Sequence, residues 1–175
     1  MFYGAKELEA SFRTVRGNTI TIAEEIPADK YSFKAAPDVK SAGEMLAHLA
    51  VSPDWQIHIH GEGLTAIDGA TFGAQMAKAA AAEQALQAKE QIIAALKENG
   101  ERFAAFLARM TPGGLAETVS FPPPIQPAQK TRFEMLLSAK EHEMHHRAQL
   151  MLIERMLGIV PHTTRQRQAR MQARP

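Results

Sequence analysis

The chain has 175 residues, 45% of them hydrophobic, a net charge of +1 and no cysteine. That is enough for one domain with a full core, and it excludes global disorder. The lack of cysteine removes disulfides, thiolate zinc sites and cysteine nucleophiles together. The charge is unevenly spread. Residues 162–175 hold Arg165, Arg167, Arg170 and Arg174 and no acid, which leaves the body of the chain at −3. A mildly acidic body argues against nucleic acid as a partner. No apolar run approaches the ~20 residues needed to cross a bilayer, so no membrane partner is expected. The N-terminus lacks a basic flank followed by an apolar stretch, and a cytoplasmic location fits.

The pattern predicts an all-α domain over 1–161, a four-helix bundle with a long connection before the fourth helix, followed by a flexible basic tail over 162–175. The first helix spans about 3–25. Leu8, Phe12, Val15, Thr19, Ile22 and Ile26 recur there at steps of four and three, which makes a core-facing stripe, and Pro27 ends it. Ser41 with Glu44 three residues on is a capping-box pattern that opens the second helix. Pro53 either kinks that helix or sits in the first turn of a fresh one. Gly61, Gly63, Gly69 and Gly73 mark a connection. A third, alanine-rich helix is expected over about 73–110. Leu86, Ile93, Leu96, Phe103, Leu107 and Met110 form its stripe, with Gly100 at a stripe position. Such a stripe packs inside a bundle or seeds a homodimer. A proline-rich loop of roughly twenty residues follows, without convincing strand alternation. The fourth helix spans about 130–157 and stops at Gly158.

On that fourth helix, Met135, Ser138, His142, His146, Gln149, Ile153 and Met156 fall within one arc. The arc is apolar at its ends and polar in its middle, so His142 and His146 are expected to face the core one turn apart. Two unpartnered imidazoles there would each cost a few kcal/mol, and a metal ion removes the cost. Catalytic zinc sites take three protein ligands. His48, inward on the second helix, is the candidate third. His145 is offset by one residue step and reads as a neighbour of the site or a helix contact. His58 and His60 read as surface or rim residues, and His162 as exposed. The letters His142-Glu143-Met144-His145-His146 also satisfy the zinc-protease pattern. However, Gln149 and Leu152 stand where its extended form needs Gly and His. A di-iron bundle needs two Glu-x-x-His motifs, and only Glu143 with His146 supplies one.

Two stretches resemble the paired signatures of the DinB/YfiT-like family. They are 40–50, which includes Ser41, Glu44 and His48, with Trp55 after it, and 142–150, His-Glu-Met-His-His-Arg-Ala-Gln-Leu. The resemblance covers nearly the whole chain except the basic tail. Ala148 departs from it, since many relatives have Gly there. The resemblance implies a four-helix bundle holding one divalent ion, zinc or nickel, on His48, His142 and His146. Relatives include thiol-dependent transferases using bacillithiol, mycothiol or glutathione, and a maleylpyruvate isomerase. The expected function is therefore a metal-dependent enzyme on a small-molecule substrate that activates a thiol or water nucleophile, with a low-molecular-weight thiol as second cofactor. Glu143 and Gln149 are the candidate catalytic residues, and Trp55 and Arg147 the candidate lining of the pocket mouth. The competing class is a non-catalytic metal-binding or dimeric interaction bundle.

Overall fold

The computed structural model describes residues 3–173. α1 (Ala5–Glu25) buries Leu8, Phe12, Val15, Thr19 and Ile22, and Ile26 just past its end is buried too. α2 (Ala42–Val51) opens on the reciprocal cap that the sequence predicts. Glu44 N donates to Ser41 Oγ at 3.2 Å, and Ser41 N donates to the Glu44 carboxylate at 2.6 Å. The chain restarts as α3 (Pro53–Gly61), with the proline in the first turn, where a missing N–H breaks no bond.

The single helix expected over 73–110 is two. α4 (Gly69–Ala85) stops at Leu86 and α5 (Lys89–Ala108) begins after Ala88. Leu86 is extended (φ −93°, ψ 90°), which turns its side chain onto the core around Ile92 and Leu96. The Gln91 side chain then accepts from the backbone of Gln87 and Ala88 at 3.2 and 3.0 Å, which caps α5. No glycine or proline punctuates this break; the turn of Leu86 onto the core and the Gln91 cap set it. α5 buries Ile92, Leu96, Gly100, Phe103, Ala104 and Leu107 within the chain, against α1 and α2. α4 buries none of its residues.

The proline-rich connection is also more ordered than its sequence suggests. α6 (Pro112–Ala116) leads into β1 (Thr118–Ser120), which pairs antiparallel with β2 (Gln129–Thr131), Val119 opposite Lys130. Three residues per strand are too few to show alternation. Ser120 also exchanges backbone hydrogen bonds with Thr65 and Ile67 at 2.9 Å, which fastens this connection to the one before α4. α7 (Arg132–Met156) starts on a Thr131–Glu134 cap and ends before Gly158, whose φ of +80° suits glycine.

The stretch read as a flexible tail is helix α8 (His162–Gln172). His162, expected to be exposed, is buried, with its Nε2 3.1 Å from Asn18 Oδ1, and Arg165 is ion-paired with Glu25. Arg174 lies outside the described residues. No helix among the described residues is long and apolar enough to cross a membrane.

α1, the α2–α3 pair, α5 and α7 form a four-helix bundle. One apolar cluster gathers around Ile22, Leu46, Leu49, Leu96 and Leu150, and another around Phe12, Phe103 and Leu136. Arg16 and Glu143 tie the helices together. Arg16 donates from Nε and Nη2 to the two Glu143 oxygens, each at 2.8 Å. It also donates to the carbonyls of Leu96 and Leu49 at 2.9 Å. One buried guanidinium thus joins α1, α2, α5 and α7. Gly100 makes room for it: a Cβ there would stand 2.9 Å from Arg16 Cγ.

Candidate metal centre

The most buried face of α7 carries Met135, Leu136, Glu143, Leu150, Ile153 and Glu154. The arc drawn from the sequence is therefore turned by about one residue step. Glu143, not the histidine pair, occupies the centre of the core. His142 and His146 are half-buried at its edge, and Met156 is exposed. This rotation leaves both imidazoles partly open to solvent and puts His142 at a cavity wall.

His48 on α2 meets them there. His48 Nε2 and His146 Nε2 each lie 3.1 Å from His142 Nε2, and one ligand atom from each of the three histidines falls within 4.8 Å of the others. The far nitrogens of two rings are held. His48 Nδ1 is 2.7 Å from Glu83 Oε1, and His146 Nδ1 is 2.8 Å from Gln149 Oε1. A carboxylate and an amide oxygen only accept, so both Nδ1 atoms carry the proton and both Nε2 atoms present lone pairs. His142 Nε2 has at most one proton for the two lone pairs that face it. Hydrogen bonds alone leave the cluster unsatisfied, and a cation at the meeting point of the three nitrogens satisfies it. The charge state agrees. Burial, then the neighbouring His146, His48 and His145, pushes the His142 imidazole down to about 4. Burial also lowers His146. Both rings are neutral at neutral pH, the form that ligates a metal.

His48 and His142 form part of the wall of a cavity of about 620 Å3 between α2, α3, α4 and α7. Val51, Trp55, Met76, Ala79 and Ala139 make it largely apolar, and α4 is its roof. Trp55 meets Phe72 of α4 edge-on at 5.6 Å between centroids.

The other residues singled out from the sequence fall in different places. Trp55 lines the cavity. Arg147 does not; it is half-buried outside the lining. Glu143 does not reach the cavity either, because both carboxylate oxygens are engaged by Arg16 inside the core. That corrects the catalytic role considered for it. Gln149 is exposed and holds His146. His145 is exposed against the His146 ring at 5.0 Å. His60 is buried rather than at the rim, bridging Gln56 (3.0 Å) and Arg132 (3.1 Å). Burial and the Arg132 charge hold it down to about 4. Sequence reasoning missed Glu83, although it is the lone acid in an alanine-rich helix. It also missed Arg16, whose place on the buried stripe of α1 is one step from Val15.

Known proteins place this fold. A DinB-like protein from Bacillus subtilis, YjoA, superimposes with a TM-score of 0.65 at 24% identity, over 87% of this chain and 92% of its own. YfiT from Bacillus subtilis, described as a probable metal-dependent hydrolase with an unusual four-helix bundle topology, superimposes with a TM-score of 0.68 at 15% identity, over 89% and 88%. No functionally curated protein matches the chain significantly. Residues 11–150 match the sequence model of the DinB superfamily. That stretch spans most of the chain and contains all three histidines, so the chain belongs to the DinB superfamily.

Proposed function

We propose that the protein is a divalent-metal-dependent enzyme that activates a nucleophile, water in the first reading, against a small molecule with an apolar body. The observation that carries this reading is the meeting of three imidazole Nε2 atoms, two of whose rings line an apolar cavity. Three imidazoles with no fourth protein ligand among the described residues are the donor set of a catalytic centre, where a structural one is closed. Imidazole donors suit zinc or nickel. When bound, the ion supplies Lewis acidity, so that a water or thiol loses its proton near neutral pH. The chain's own residues do the rest. Glu83 and Gln149 fix the tautomers of His48 and His146. Trp55, Val51 and Met76 seat an apolar group and exclude water beside the centre. The description of YfiT as a probable metal-dependent hydrolase supports the hydrolytic form.

Transfer to a low-molecular-weight thiol is the second reading. It is favoured by a polar groove of about 910 Å3 that abuts the cavity across Lys40 and Glu83 and offers a second compartment for a polar cosubstrate. Elemental analysis of protein purified without a His-tag or added metal tests the centre. The expected result is close to one zinc or nickel per chain, lost in His48→Ala, His142→Ala and His146→Ala. Wild-type protein that stays metal-free after soaking with zinc would end this reading. Turnover of a nitrophenyl ester, with and without glutathione, then separates hydrolysis from transfer.

A further inference from the structure

α4 is an unusual roof. It covers the cavity yet buries none of its own side chains. Among the described residues, its only side-chain hydrogen bonds to another part of the fold pass through Glu83. One oxygen of that carboxylate accepts from His48 Nδ1 at 2.7 Å, and the other from Lys40 Nζ at 2.8 Å. Glu83 and Lys40 also line both the apolar cavity and the polar groove, so their ion pair is part of the partition between the two.

We propose that Glu83 is the positioning residue of the three-histidine centre and the latch of its roof. By accepting the Nδ1 proton of His48 it aims the His48 Nε2 lone pair at His142 and His146, and the same bond fastens α4 over the cavity. This inference rests on the metal reading above. A ligand that draws on the Nε2 lone pair makes the Nδ1–H a stronger donor, which tightens its bond to a carboxylate. Loading the centre and closing the roof are thus one event, read at one hydrogen bond. A neutral imidazole without Glu83 would divide its proton between Nδ1 and Nε2, and each Nε2-protonated molecule would have lost a ligand atom.

The experiment compares wild type with Glu83→Ala, Glu83→Gln and Lys40→Met. Three readouts are taken: the His48 tautomer by nitrogen-15 NMR on metal-free protein, zinc affinity by competition with a chromophoric chelator, and amide exchange over residues 69–85 with and without zinc. In wild type, His48 carries its proton on Nδ1 and zinc slows exchange across α4. Glu83→Ala mixes the tautomers, weakens zinc binding by about 10- to 100-fold, and abolishes the protection of α4 by zinc. Glu83→Gln keeps an oxygen acceptor, so it retains the tautomer and most of the affinity. Lys40→Met loosens the partition and leaves the zinc effect on α4 in place. The proposal is overturned if Glu83→Ala keeps the wild-type tautomer, or if it binds zinc as tightly as wild type and protects α4 equally. Wild-type protein without zinc affinity would instead overturn the metal reading and the coupling with it. The tautomer comparison, made without metal, would show whether Glu83 still orients His48.

Discussion

Glu143 and His142 are adjacent in sequence, yet one completes a buried ion pair and the other faces a cavity. Removing half of a buried pair leaves an uncompensated charge in the core, which costs about 3–5 kcal/mol. Arg16→Ala and Glu143→Ala are each expected to lose stability on that scale in urea titrations. Gly100→Ala is expected to lose about 1–3 kcal/mol, because the new Cβ displaces the Arg16 side chain. If Glu143 were instead a catalytic base, Glu143→Gln would lower turnover and leave the unfolding midpoint unchanged. Glu154 gives a pH-dependent test. It is fully buried, and neither oxygen has a hydrogen-bond partner among the described residues. Burial, then the nearby Glu25 charge, pushes its carboxyl up to about 7. The folded protein therefore holds this proton more tightly than the unfolded chain, whose carboxyl titrates near ~4.3. Stability falls as pH rises between those two values and levels off above about 7. Glu154→Gln removes that fall, which melting temperatures measured from pH 5 to 8 would reveal. The histidine pair of α7 was legible because an i,i+4 pair is a local signal, and His48 was reached through its inward position on the second helix and the family signature around it. Glu83 was not, since its partner lies 35 residues away. Glu143 was misread because one residue step of helix phase separates cavity wall from core.

At the scale of the helix, some local end signals held and others did not: Gly69 and Gly73, read as part of a connection, lie in α4. The Ser41–Glu44 cap, Pro53 and Gly158 all stand at observed boundaries. The break at Leu86–Ala88 was invisible because alanine, glutamine, lysine and glutamate all favour helix. A hydrophobic side chain turning onto the core overrode that preference. α8 was missed for the opposite reason: its polar sequence has no apolar stripe, and its hold on the bundle is polar. Deleting residues 162–175 removes the His162–Asn18 contact and the Arg165–Glu25 pair. The truncated protein is expected to melt several degrees lower than the full chain. An unchanged melting temperature would make α8 a free appendage.

The bundle as a whole was readable from the apolar stripes of the first and third expected helices, the mixed arc of the fourth and the cap that opens the second. The cavity was not, because it exists only where α4 stands off from α2, α3 and α7. A ligand that binds only the folded state stabilises it by about 2.7 kcal/mol at a hundred times its dissociation constant. For a chain of this length that is a rise in melting temperature of roughly 5–10 °C. Zinc is expected to produce such a rise, chelator to reverse it, and His146→Ala to abolish both. Equal melting of wild type and variant with and without zinc would remove the centre from the account.

The roof itself has one more consequence. Ala79, Ala80 and Ala82 of α4 line the cavity, and no residue of that helix belongs to the core. Exchanging these alanines for larger side chains reshapes the space beside the histidines and leaves the hydrophobic core untouched. Under the proposed function, the choice of ligand could therefore be redesigned along a single helix that contributes no residue to the core.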